Sequence, residues 1–206
     1  IRFALMELYQ VANKKFKLER FPVVRNGPLR AWSAADEYVV DHLDESAFSE
    51  KSKLLVLNDA FGALSIPFTG LKTTVLTDSL LSELAIRKNL EGNNLRNDAL
   101  NFISPTDEIK QKYDILIVGV PKSRSLLEYQ LRKIRPFLKP NCFILAGVMV
   151  KYLHPSLLSL FQATLGPAEH LPSFKKARLI IIELDPETKS RAPSIPTLTY
   201  KLAQHK

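Results

Sequence analysis

The sequence predicts an α/β fold: a mostly parallel seven-stranded sheet with an antiparallel final strand, held between helices as three α/β/α layers. Three observations predict it. Strand-like apolar runs alternate with helix-like runs through most of the chain. The run from Leu54 to Leu57 is apolar without interruption, as a strand buried on both faces must be. The last two strand-like runs stand close enough to form a hairpin, and a hairpin is antiparallel.

The elements follow in order. Trp32, Ala35, Val39 and Leu43 recur at helical spacing and predict an opening helix over Leu29 to Leu43, with its acids on the solvent side. Leu54 to Leu57 is the first strand and Thr73 to Leu76 the second. Asp78 or Ser79 caps the next helix, which runs to about Glu91, and Asn93 and Asn94 suit its exit. Leu100 to Ile103 makes a short third strand, stopped by Ser104-Pro105, and Ile115 to Val120 the fourth. A helix from Ser123 to about Leu138 buries Leu127, Leu131, Ile134 and Leu138 and exposes Arg124, Glu128, Arg132 and Arg135. Pro136 disturbs its last turn. Cys142 to Met149 is the fifth strand. A helix starts near Pro155, a favoured first helical position, and ends around Gly166. Glu169 to Ser173 and Ala177 to Leu184 close the sheet. Residues 1–185 therefore form one domain. The stretch from Pro186 to Pro196 breaks all periodicity and reads as a linker. Thr197 to Leu202 looks like the entrance to a second domain, so 186–206 is assigned to linker and onset of that domain.

Bulk properties exclude several classes. At 206 residues, 46% apolar and 24% charged, the chain fits one globular domain with a sizeable core. No apolar run approaches a membrane span, and no membrane partner is expected. The first ten residues hold Arg2 and Glu7 with no cleavage pattern, so no signal peptide is read. Opening on Ile1 rather than Met, the chain reads as a fragment or a processed product. Cys142 is the single cysteine, which excludes an internal disulfide and a cysteine-rich zinc site. Its apolar neighbours make it a buried structural thiol. The lack of disulfides fits a reducing cytoplasm. His42, His154, His170 and His205 are scattered, so no metal site is expected, and no serine or cysteine sits in a nucleophile setting.

The net charge of +8 hints at a polyanionic partner. Its distribution is patchy: Lys14, Lys15, Lys17, Arg20, Arg25 and Arg30 face one acid, Glu19, and then Asp36, Glu37, Asp41, Asp44, Glu45 and Glu50 form an acidic block.

Five parallel strands followed by an antiparallel hairpin is the order of the Rossmann-like class I methyltransferase fold. The segments Leu29-Arg30-Ala31-Trp32-Ser33-Ala34-Ala35-Asp36-Glu37-Tyr38, Leu57-Asn58-Asp59-Ala60-Phe61-Gly62-Ala63-Leu64-Ser65 and Lys175-Lys176-Ala177-Arg178-Leu179-Ile180 closely resemble the amino-terminal half of the RlmG/RsmC family of bacterial rRNA guanine-N2 methyltransferases. The resemblance runs from about Arg20 to Leu202 and leaves residues 1–19 without a role. It implies a degenerate methyltransferase-like domain that recognises RNA. The S-adenosylmethionine and the Asn-Pro-Pro-Phe-type catalytic loop of such proteins belong to a carboxy-terminal partner domain. It favours 23S over 16S rRNA as the target.

The resemblance also makes the altered motifs readable. A cofactor loop after the first strand needs glycines for close backbone approach. Here Asn58 takes the position of the motif acid, Asp59 stands one place off, Ala60 and Leu64 take glycine positions, and only Gly62 survives. Leu64 is expected to fill cofactor space. Asp78 keeps the position of the acid that holds ribose in active relatives, but directly before a helix it reads first as a cap. These four, Asn58, Asp59, Gly62 and Asp78, are vestigial positions, and no cofactor is expected in this domain. Gly119-Val120-Pro121-Lys122 replaces the catalytic loop. Methylating an exocyclic guanine nitrogen needs a polar acceptor and a stacking ring. Glycine and lysine supply neither, so no catalytic residue is assigned. Lys122, Arg124, Arg132, Lys133, Arg135, Lys175, Lys176 and Arg178 are the RNA-contact candidates, because cations on phosphates give affinity through counterion release. Solvation alone also accounts for any one of them.

Overall fold

The structure is a computed structural model and describes residues 8–11, 14–22, 29–43 and 48–188. Arg25, Asp44, Glu45, His205, the expected linker beyond 188 and the expected strand at 197–202 lie outside the described residues.

Strands β1 (Tyr9–Val11) and β2 (Lys14–Phe16) pair antiparallel as a small separate sheet. Helix α1 (Ala34–His42) follows. Then come β3 (Lys53–Leu57), β4 (Lys72–Leu76), α2 (Leu80–Gly92), β5 (Leu100–Ile103), β6 (Tyr113–Gly119), α3 (Arg124–Ile134), β7 (Leu138–Met149), α4 (Pro155–Thr164), β8 (Ala168–His170) and β9 (Ala177–Ile182). The main sheet has seven strands in the order β5-β4-β3-β6-β7-β9-β8. Strands β3 to β7 run parallel, and β9, the last strand among the described residues, lies antiparallel to both β7 and β8. The predicted fold is therefore the observed one.

Period-two alternation splits the core between the two sheet faces. Leu54, Val56, Ile115 and Ile117 face Val39 of α1 and Ile86 and Leu90 of α2. Leu55, Leu57, Leu116 and Val118 face Leu127 and Leu131 of α3 and Leu160 and Phe161 of α4. Each fully buried leucine contributes roughly 1.5–3 kcal/mol, so these two layers fix the position of every strand end.

Three sequence expectations need correction. Helix α1 starts at Ala34, not Leu29: Ser33 caps it in a capping box with Asp36, and Trp32 precedes the cap although it fits the helical spacing. Its acids are not all on the solvent side. Glu37 is buried, with its carboxylate bonded by Trp32 Nε1 at 3.0 Å and Lys175 Nζ at 2.8 Å. Helix α3 stops at Ile134. Pro136 lies in the short 3-10 turn Arg135–Phe137, and Leu138 opens β7 instead of closing the helical stripe.

The stretch before Arg20 acquires a place. Asn93 exchanges bonds with Lys17 (N to Oδ1 2.8 Å, Nδ2 to O 2.8 Å), and Asn89 does the same with Glu19 (3.0 and 2.9 Å). Spaced i, i+4, the two amides lie on one face of α2 and hold this segment in line. The Arg20 guanidinium then sits 4.9 Å above the Phe61 ring, over the loop that follows β3.

Candidate functional site

Strands β3, β6 and β7 end at one edge of the sheet. The chain order reverses about β3, between β4 on one side and β6 on the other, which opens a crevice at the carboxyl ends. A cavity of about 600 Å³ occupies it, bounded by α1, the loops after β3, β6 and β7, and the start of α4.

The β3 loop is organised by its own side chains. Asn58 adopts a left-handed backbone (φ 58°), which asparagine tolerates. Its Nδ2 donates to Gly119 O at 3.1 Å and to Gln130 Oε1 at 2.8 Å, and Gln130 Nε2 donates back to Asn58 Oδ1 at 2.8 Å. The motif position thus ties β3 to β6 and α3. Asp59 is buried inside the loop. Its carboxylate accepts from the N–H groups of Phe61 (3.3 Å), Gly62 (2.8 Å), Leu64 (3.1 Å) and Ser65 (2.9 Å) and from Ser65 Oγ (2.7 Å). Burial outweighs these bonds and holds the carboxyl above its ordinary range. Gly62 has φ +95°, and a Cβ there would stand 2.5 Å from Ile66 Cδ1, so this glycine serves the turn. Leu64 is buried in the core and also forms part of the cleft wall, and Ala60 is exposed on it.

Asp78 is exposed and is not among the residues that line the cleft. Ser79, not Asp78, caps α2, accepting from Ser82 N at 3.2 Å. At the β6 end, a Cβ on Gly119 would stand 2.9 Å from the carbonyl oxygens of both Leu57 and Asn58. Glycine is therefore required by the approach of β3 backbone. Cys142 is buried, and burial pushes its thiol up to about 12.

The eight basic candidates do not form one patch. Lys122 and Arg124 are exposed at the cleft and have no partner among the described residues. Lys175 and Lys176 form the tip of the tight turn Phe174–Ala177, closed by N–H···O bonds of 2.9 and 2.8 Å, with φ of 47° and 63°. Val150 N donates to Lys176 O at 2.9 Å, which brings this turn to the same edge, beside the end of β7. Lys175 pairs with Glu37, and Lys176 has no side-chain partner among the described residues. Arg178 donates to His170 Nδ1 at 2.7 Å. The other three are engaged elsewhere. Arg132 pairs with Glu128 at 2.8 Å, and Lys133 donates to the carbonyls of Pro105 and Asp107. Arg135 donates to the carbonyls of Thr164 (3.0 Å), Leu165 (2.9 Å) and Asp185 (2.5 Å), closing the end of α4.

Sequence reasoning missed Asp36, Lys151, Tyr152 and His154 as residues of this edge. Asp36 lines the cleft, and burial pushes its carboxyl up to about 6, with Asp59 and Glu37 adding repulsion against two stabilising contacts from Ser33. The spacing Ser33-x-x-Asp36 was its signal, as a capping box. Lys151 lies in the 3-10 turn Val150–Tyr152 just after β7, and its Nζ lies 4.8 Å from the Tyr152 ring. Among the described residues no three His, Cys, Asp or Glu side chains gather as a metal site, and no helix is long and apolar enough to cross a membrane.

Comparison with solved structures matches this arrangement to methyltransferases. The 16S rRNA N2 methyltransferase RsmC of T. Thermophilus, in complex with AdoMet and guanosine, superposes with a TM-score of 0.63 at 16% identity, over 87% of this chain and 50% of that one. SMU.776, complexed with SAH, gives 0.61 at 16% identity, over 86% of this chain and 56% of its own. The glycopeptide N-methyltransferase MtfA, complexed with S-adenosyl-L-methionine, gives 0.53 at 12%, over 78% and 89%. Likeness at these identities establishes the fold, and the chain spans about half the length of the first two. A family profile described as the RLMG N-terminal domain matches residues 6–186, starting well ahead of Arg20 and taking in the β1–β2 hairpin. The chain accordingly belongs to the RLMG N-terminal domain family.

Proposed function

We propose that this domain recognises ribosomal RNA without itself transferring a methyl group, and orients an RNA segment for a catalytic domain outside this chain. The observation that carries the reading is the carboxyl edge: Lys122, Arg124 and Lys176 stand there exposed, with no partner among the described residues. Such cations bind phosphates with little sequence reading. Phe174, 43% exposed beside the lysine turn, adds a ring on which a base can stack. The β3 loop supports the non-catalytic part. The backbone N–H groups of the β3 loop are bonded to Asp59, and Asp78 is not among the residues that line the cleft, so neither supplies the contacts that S-adenosylmethionine would take there. At the catalytic-loop position Gly119 offers no side-chain acceptor. S-adenosylmethionine belongs, on this reading, to the partner domain, 23S rRNA is favoured over 16S, and the setting is cytoplasmic.

A gel shift with a 23S rRNA fragment at several salt concentrations tests this: complex formation that weakens steeply with salt is expected, and no complex at low salt contradicts it. The open cleft favours a second reading, a self-sufficient S-adenosylmethionine-dependent methyltransferase. Calorimetry with the cofactor separates the two, since micromolar binding would establish the second. The exposed leucines Leu80, Leu81 and Leu84 on α2 favour a third, a scaffold for the catalytic domain, and that one predicts no RNA complex.

A further inference from the structure

The cleft at the carboxyl ends of β3, β6 and β7 has a floor, walls and a rim of different chemistry. Its volume of about 600 Å³ falls in the middle of the range of small-molecule pockets, roughly 300–1,000 Å³. On the floor, Asp36 Oδ2 takes both contacts from Ser33, from N at 2.7 Å and Oγ at 2.9 Å. Its Oδ1 accepts no hydrogen bond among the described residues, and Asp36 lines the cleft, so one carboxylate oxygen is left to accept from a ligand there. The other carboxylate nearby offers nothing, because Asp59 spends its oxygens on the loop. The walls are flat and apolar: Val120, Pro121 and Leu157, with Phe61 and Tyr152 as rings. Lys122 and Arg124 line the cleft at its exposed rim.

A matching ligand has N–H donors at one end, a flat apolar body and an anion at the other. We infer that the cleft is a subsite for one unstacked guanine nucleotide, with N1–H and the N2 amino group toward Asp36 and the phosphate toward Lys122 and Arg124. The other bases fit the floor less well. Adenine and cytosine place a ring-nitrogen acceptor beside their amino donor, and uracil flanks its single N–H with two carbonyls, so each sets a lone pair against the carboxylate. Guanine alone presents two adjacent donors on that edge. The inference rests on the RNA-recognition reading, in which the nucleotide is a base turned out of a strand.

Calorimetric titration of the 206-residue protein with GMP, AMP and S-adenosylmethionine tests it. GMP is expected to bind about tenfold or more tighter than AMP, the size of a hydrogen-bonded contact to a charged group. Asp36→Asn is expected to erase that preference. Equal binding of GMP and AMP, no GMP binding, or tighter binding of S-adenosylmethionine in competition with GMP overturns the subsite. The comparison on the unaltered protein decides the matter even if the variant does not fold. A parallel gel shift keeps the two readings apart. An RNA complex without a guanine preference sinks the subsite alone, and a guanine preference without an RNA complex sinks the recognition reading alone.

Discussion

The side-chain amides of Asn58 and Gln130 exchange two hydrogen bonds of 2.8 Å each, joining the tip of β3 to the middle of α3. Gln130 is fully buried on a helix face that otherwise presents Leu127, Leu131 and Ile134. Truncation leaves the half-buried amide of Asn58 without that partner and opens a gap in the apolar face of α3. Gln130→Ala is expected to lower unfolding free energy by about 1–3 kcal/mol, read as a lower urea midpoint at unchanged slope. A midpoint within error of the parent would remove the amide pair from the account of this loop.

Gly119 answers to packing. A side chain there meets the carbonyl oxygens of Leu57 and Asn58 at 2.9 Å, and backbone of a central strand cannot retreat. Gly119→Asn, which restores a polar group at the catalytic-loop position, is expected to destabilise the domain by about 2 kcal/mol or more and to give no methyl transfer. Thermal melting and a methyl-transfer assay on the purified variant check both halves, and a stable variant with turnover contradicts both.

Asp36 makes stability depend on pH. Its folded-state carboxyl is pushed from 3.8 up to about 6, chiefly by burial. A raised folded value means that the folded protein holds the proton more tightly than the unfolded chain does. Asp36 therefore stabilises most below about pH 4, and this contribution is lost as pH rises through about 6. Its size is on the order of 1–3 kcal/mol. Urea denaturation of the parent and of Asp36→Asn between pH 4 and 7 is expected to show a slope in their difference over that window. A flat difference places Asp36 in open water.

Lys176 sits at φ 63° in the turn Phe174–Ala177, where glycine is at ease and a side chain is strained by roughly 1–2 kcal/mol. Lys176→Gly is expected to raise stability by about 1 kcal/mol and to weaken RNA binding. Gain and loss in one variant is the mark of a residue held against local preference for function. Higher stability with unchanged RNA affinity leaves the strain without a purpose.

The fold was legible because continuous apolar runs such as Leu54–Leu57 and the closing hairpin leave few alternatives. The misread boundaries share one cause. Trp32 and Leu138 fit the helical period of their neighbours, and the local chemistry of Ser33 and Pro136 overrides that period. The site was less legible. Charge alone cannot tell Lys122, exposed without a partner among the described residues, from Arg135, which closes a helix end through three carbonyls. Nor does a one-residue offset from the motif acid disclose that Asp59 turns into its own loop. Both depend on where the chain returns after many residues, which a local pattern does not encode.

The most direct test of RNA recognition at the carboxyl edge is the salt dependence of 23S rRNA fragment binding, compared between the parent and the combined Lys122→Gln, Arg124→Gln, Lys176→Gln variant. Loss of these phosphate contacts is expected to weaken binding and to reduce the log–log slope by about 2–3, at roughly 0.7–0.9 per contact. An unchanged slope and affinity in a folded variant would place RNA elsewhere or nowhere on this domain.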